Sequence, residues 1–174
     1  MTNVVIVSDT LRGFLEAGYP LYLGPAARSV VAPIQKLLER ERAAGSRIIY
    51  LADWHAPDDL EFRMFPAHCI QGTRETEVIP ELAPHPGDVV VHKTRYSGFF
   101  GTGLAGRLEA IRPGKVIVCG VCSDICVLHT VAEARNRNYE VEVPADCVAT
   151  FDPEGHKWAL RHLERVLGAK ITGT

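Results

Sequence analysis

The sequence predicts an α/β domain, a mainly parallel sheet with helices on both faces forming a three-layer αβα sandwich. Two observations point there. Short, continuous apolar runs rich in β-branched residues recur along the chain, as in Val4–Val7, Ile48–Leu51 and Val89–Val91, and such runs are expected of strands buried on both faces. Stretches of helical periodicity separate several of them, and strands alternating with helices give parallel pairing by crossover connections. At 174 residues the chain suits one domain, residues 1–174, with enough buried surface to do without disulfides or a structural metal.

In chain order, Asn3–Ser8 reads as the first strand. Ala26–Ala44 follows as a helix, with Val30, Ile34, Leu37 and Leu38 at helical spacing and Gly45 as its terminator. Arg47–Ala52 is a second buried strand that runs directly into Asp53. The stretch from Asp53 to Gly72 has no clean period and carries Trp54, Pro57, Pro66 and two histidines, which marks a functional loop rather than a linker. Asp88–His92 is the third strand and ends in Lys93. Lys115–Cys119 is the fourth, followed by a helix over Ser123–Asn138. Tyr139–Val143 makes a fifth strand and Pro153–Gly168 a last helix. Asp146 and Asp152 fall in a turn-rich stretch where capping is expected.

Composition narrows the function. A formal net charge of −2 gives no basic footprint for nucleic acid, and no apolar run is long enough for a membrane span or signal peptide. Five cysteines, an odd number scattered through apolar segments, argue for free thiols in a reducing compartment, hence a cytoplasmic protein.

Open parallel sheets bind ligands beyond the carboxyl ends of their strands. Asp9, Asp53, Lys93 and the turn Gly120–Cys126 all follow predicted strand ends, so four chemically capable segments should share one rim. Ser123 or Asp124 is expected to cap the helix, placing Cys126 in its first turn, where the helix dipole and free N–H groups favour a thiolate and can hold an oxyanion. A free thiol in an apolar segment is also commonly a core residue, and spacing leaves both readings open. A nucleophilic thiol needs a base and a cation. Asp9 and Lys93 stand at strand ends, whereas His92 lies one residue short of the rim, so a Cys-Asp-Lys set is preferred to Cys-His. Asp53 and His55, two apart on an extended segment, share a side. With Glu61 and His68 they form a donor set suited to Zn²⁺, Mn²⁺ or Fe²⁺, with Asp58 and Asp59 as competing donors. Cys119-Gly-Val-Cys122 also matches a C-x-x-C redox motif, although Cys119 belongs to the apolar strand.

Asp9 with Phe14, Asp53-Trp-His55, Phe65-Pro-Ala-His68-Cys-Ile-Gln-Gly-Thr73, Lys93 and Gly120-Val-Cys-Ser-Asp-Ile-Cys126-Val together resemble the isochorismatase-like cysteine hydrolases, in particular the nicotinamidase/pyrazinamidase branch. The resemblance runs in order over nearly the whole chain. It implies a Cys126-Asp9-Lys93 triad, a cis Val121–Cys122 peptide bond and an oxyanion hole from the N–H groups of Cys122 and Cys126. It implies a metal, zinc first with manganese or iron as alternatives, held by Asp53, His55 and His68 with Glu61 as fourth ligand, binding the pyridine nitrogen of nicotinamide. Phe14, Phe65 and Tyr96 match positions that wall the ring. Ala67 replaces the family's usual second proline, and the segment after Lys93 is shorter than in many nicotinamidases. The implied activity is hydrolysis of nicotinamide to nicotinic acid and ammonia through a thioester, in NAD salvage, by a homodimer or homotetramer. Isochorismatases proper lack the cysteine, so ether hydrolysis is not expected. The alternative is a carbamoyl or ureido amide hydrolase, whose branches generally lack the Asp-x-His pair.

Overall fold

The computed structural model describes residues 2–173. Seven strands, β1 Val4–Ser8, β2 Arg47–Asp53, β3 Val89–Lys93, β4 Val116–Val121, β5 Val141–Pro144, β6 Val148–Ala149 and β7 Lys170–Thr172, form one sheet. Its order is β3-β2-β1-β4-β5-β7, with the two-residue β6 paired to the end of β4, and every ladder is parallel. The helices are α1 Arg12–Leu15, α2 Val31–Ala43, α3 Leu104–Ile111, α4 Cys126–Asn136 and α5 Pro153–Arg165. No described helix is long and apolar enough to cross a membrane.

Alternation along the strands sorts the core into two halves. Val5, Val7, Ile48, Tyr50, Ile117 and Cys119 pack with Ile34, Leu37 and Leu38 of α2. Val4, Ile6, Ile49, Leu51, Val116 and Val118 pack with Leu104 and Leu108 of α3, Val127 and Val131 of α4, and Leu163 of α5. Helices thus cover both faces, which is why the central strands are apolar along most of their length. Each buried Leu, Ile or Val contributes roughly 1.5–3 kcal/mol. β3 lies at the sheet edge, and there Val90 and His92 are exposed; Trp54 stacks on His92 at 4.1 Å.

The expected helix over Ala26–Ala44 is two pieces, a 3-10 segment Pro25–Val30 leading into α2. Pro33 falls in the first turn of α2, where its missing N–H costs nothing. Gly45, at φ 79°, follows α2 as expected of a terminator. The helix expected from Ser123 starts instead at Cys126, with Ile125 at the cap position and no side-chain cap. Ser123 is occupied elsewhere: its Oγ pairs with His156 Nδ1 of α5 at 2.9 Å. Asp152 does cap α5, accepting from the Glu154 N–H. The short α1, the 3-10 turns, α3, β6 and β7 had no clear periodic signal. Two or three residues are too few to show a period in β6 or β7, and two turns with Gly106 inside blur α3.

Register delivers the strand ends to one rim. Ser8 is level with Gly120 on one side and Leu51 on the other, and Asp53 is level with Lys93. Gly120 has φ 110°, and a Cβ there would lie 2.0 Å from the Ser8 carbonyl oxygen. Gly120→Ala is therefore expected to lose about 3 kcal/mol or more of stability, measured by urea unfolding, because backbone rather than a flexible side chain blocks the added methyl. Wild-type stability in this variant would show that β1 and β4 can part without penalty.

Candidate active site

Asp9, Lys93 and Cys126 meet at the carboxyl rim. Lys93 Nζ lies 3.0 Å from Asp9 Oδ2, 2.5 Å from Asp53 Oδ1 and 3.5 Å from Cys126 Sγ. All four residues are buried, Asp9 completely. Asp9 follows β1 in the left-handed region at φ 52°, a conformation that aspartate tolerates better than most residues. Its Oδ1 accepts from the Asp53 N–H at 3.0 Å, and its Oδ2 also accepts from Ser8 Oγ at 2.9 Å. A single ammonium therefore ties two carboxylates and the thiol together.

These contacts set the proton balance. Burial, and then the charge of Asp53, push Asp9 up to about 6 against the pull of Lys93. That is the range in which a carboxylate can both take and return a proton near neutral pH. Burial also works against ionising Asp53, but Lys93, His55 and His68 hold it well below the usual carboxylate range. Lys93, despite burial, is held firmly charged by Asp53 and Asp9. Cys126 departs from the expectation of a ready thiolate. Burial pushes its thiol well up; the Lys93 ammonium pulls the other way, and the charges of Asp9 and Asp53 add to the rise. The resting group is a thiol whose proton needs an acceptor.

Cys126 is the first residue of α4, and the Val121–Cys122 bond is cis. Ile125 and Val127 both donate to the Cys122 carbonyl. Among the described residues, neither the Cys122 nor the Cys126 N–H donates to another backbone carbonyl. Two backbone donors are thus left beside Sγ, at the positive end of an 11-residue helix.

Asp53, His55 and His68 place donor atoms within 4.8 Å of one another. Asp53 Oδ2 is 3.6 Å from His55 Nε2 and 3.8 Å from His68 Nε2, and Glu61 Oε1 is 3.8 Å from His68 Nε2. These separations are too long for hydrogen bonds and near the ~3.4 Å edge of a tetrahedron built from Zn–N and Zn–O bonds of about 2.1 Å. His68 Nδ1 donates to the Pro66 carbonyl at 2.8 Å and His55 Nδ1 donates to Asp59 at 3.0 Å, so both rings turn Nε2 inward. His55 Nε2 and Glu61 Oε2 are buried without a hydrogen-bond partner. Burial opposes charge on His55, yet Asp53 and Asp59 lift it to about 9, so the spot favours positive charge. Two imidazoles and two carboxylates with inward, unpaired atoms fit a divalent cation. Asp59, a competing ligand by sequence, sits behind His55 instead. Asp58 is exposed and joins no donor cluster.

One cavity joins the two clusters. Cys122, Cys126, Asp53, Glu61 and His68 line it, and the expected ring walls Phe14, Phe65 and Tyr96 all lie on it. Sequence reasoning missed the rest of the wall: Leu21, Leu23, Val121, Ile125 and the half-exposed Phe151. These are ordinary apolar residues of loops, turns and the end of β4, and nothing in their local sequence marks them. Among the described residues, no Arg, Lys, Asn or Gln lines the cavity. The C-x-x-C alternative gains nothing here, since Cys119 is fully buried in β4 and its Sγ donates to the Ile6 carbonyl.

Residues 3–174 match the family model described as the isochorismatase domain. The chain is similar to the crystal structure of nicotinamidase PncA from Bacillus subtilis, with 33% identity, a TM-score of 0.93 and 99% of each chain covered. It is similar to N-carbamoylsarcosine amidase from Thermoplasma acidophilum, with 37% identity and a TM-score of 0.90 over 99% of this chain and 96% of that one. It is also similar to the pyrazinamidase of Pyrococcus horikoshii in complex with zinc, with 28% identity, a TM-score of 0.91 and all of both chains covered.

Proposed function

The chain belongs to the isochorismatase family, and within it we propose that this protein is a metal-dependent cysteine amidohydrolase that converts nicotinamide to nicotinic acid and ammonia. The observation that carries this reading is the shared cavity, on which Cys126 and the donors Asp53, Glu61 and His68 all open between aromatic walls.

In this reading Asp9 takes the thiol proton as Cys126 Sγ attacks the carboxamide carbon. Lys93 balances the developing negative charge, and the N–H groups of Cys122 and Cys126 receive the oxyanion. As the C–N bond breaks, Asp9 returns its proton to the nitrogen and ammonia leaves. Asp9 then takes a proton from water, which attacks the thioester carbon, and the acid departs with Cys126 reprotonated through Asp9. A divalent cation bound by Asp53, His55, Glu61 and His68 supplies a Lewis-acid contact for the ring nitrogen. Phe14, Phe65 and Tyr96 hold the ring and exclude water around the thioester.

The wall chemistry supports an uncharged aromatic amide. N-carbamoylsarcosine, the substrate named for the Thermoplasma relative, carries a carboxylate, and burying one without a cation costs several kcal/mol. Apart from the proposed divalent cation, the described residues that line the cavity include no arginine or lysine to meet it. Ammonia release from nicotinamide, measured before and after chelation, tests the proposal. Release should fall on chelation and return with Zn²⁺, Mn²⁺ or Fe²⁺, and it should exceed release from N-carbamoylsarcosine. Faster release from N-carbamoylsarcosine overturns the substrate while leaving the cysteine chemistry in place.

A further inference from the structure

Asp59 meets His55, Glu61 and Arg95 at once. Its Oδ2 accepts from His55 Nδ1 at 3.0 Å, its Oδ1 accepts from the Glu61 N–H at 2.9 Å, and Arg95 Nη1 donates to both oxygens at 2.9 and 3.1 Å. The side chain is nearly buried, at 8% exposure. From these contacts we propose that Asp59 is the positioning residue of the cation site, with one oxygen aiming the His55 ring and the other seating Glu61, while Arg95 anchors it.

This inference rests on the reading of Asp53, His55, Glu61 and His68 as cation donors. It follows from which atoms Asp59 occupies and which it leaves free. An imidazole held at Nδ1 by a carboxylate presents Nε2 as the ligand atom and becomes a stronger donor. That Nε2 is one of the buried atoms left without a partner, and Glu61 Oε2 is another. Both lie on residues whose placement Asp59 sets, His55 four positions before it and Glu61 two after. Arg95 also keeps Asp59 from acting as a fifth donor, since both its oxygens are engaged away from the cluster. Arg95 stands between Lys93 and Tyr96, so the anchor joins the metal loop to the segment that carries the triad lysine and a cavity wall.

A plain cap of the 3-10 turn Leu60–Arg63 would need only the bond to Glu61. Asp59→Ser separates the two roles, because serine caps a turn well but is too short to reach His55. Zinc affinity of the purified protein, measured by competition with a chromophoric chelator, is expected to fall about 10–100-fold in Asp59→Ser with the unfolding temperature nearly unchanged. The visible absorption bands of the Co²⁺-loaded protein should shift in the same variant. Arg95→Ala should weaken zinc binding in the same direction, to a smaller extent. Zinc affinity and Co²⁺ bands that match wild type in Asp59→Ser, while Asp53→Ala abolishes binding, overturn the positioning role alone. Binding that survives Asp53→Ala overturns the cation site itself, and this inference with it.

Discussion

Replacing Cys126 with alanine is expected to lower nicotinamide turnover by about 10⁴–10⁶-fold, the range seen when a nucleophile is removed from a site whose other groups remain. The substitution deletes a single sulfur beside Lys93 Nζ at 3.5 Å and leaves the α4 N-terminus and both free N–H groups in place. Its expected cost to stability is small, because the thiol is an uncharged group of modest volume. Steady-state ammonia release alongside thermal unfolding separates the two effects. Turnover within tenfold of wild type would refute the nucleophile assignment and turn attention to a water-based mechanism at the cation donors.

Lys93→Met is expected to be the most destabilising single substitution at the site, by about 3–5 kcal/mol, the usual cost of stripping one partner from a buried charge pair. Methionine retains most of the stem volume, so little of the loss comes from packing. What disappears is, among the described residues, the only cation in contact with Asp9 Oδ2 at 3.0 Å and Asp53 Oδ1 at 2.5 Å, in a place where Asp9 is shut off from water and Asp53 nearly so. Urea unfolding of the metal-free protein measures it. A loss below about 1 kcal/mol would mean that the pair behaves like a solvated surface bridge, and that the low exposure of these groups is not their state in solution. Turnover should fall as well, since nothing else balances the charge that develops on Sγ.

Much of the fold was legible because its signals are local. Val4–Val7 and Val116–Val118 are β-branched at every position because helices cover both faces of the central sheet, and that demand is written into consecutive residues. Asp9, Asp53 and Lys93 were legible for a related reason: each follows a strand directly, and parallel strands deliver their carboxyl ends to one rim. The donor set of Asp53, His55, Glu61 and His68 could be read from residue types and spacing but stayed open against Asp58 and Asp59 until the resemblance gave it weight, since D-x-H spacing is common by chance. The cavity walls Phe14, Phe65 and Tyr96 were reached only through the resemblance.

Other features had no local trace. Ser123 looked like a helix cap, but His156 from another helix claims its hydroxyl, and α4 starts three residues later. Leu21, Leu23 and Phe151 belong to the cavity by long-range packing. The reach of Asp53 to both Lys93 and the histidines, and of Asp59 to Arg95 thirty-six residues away, depends on which oxygen of a carboxylate faces which partner. Strand placement follows from hydrophobic burial, which acts residue by residue and leaves a period in the chain. The division of one carboxylate between two partners follows from hydrogen-bond and charge geometry among segments far apart in sequence, and that is decided only when the sheet register and the loops around it are in place.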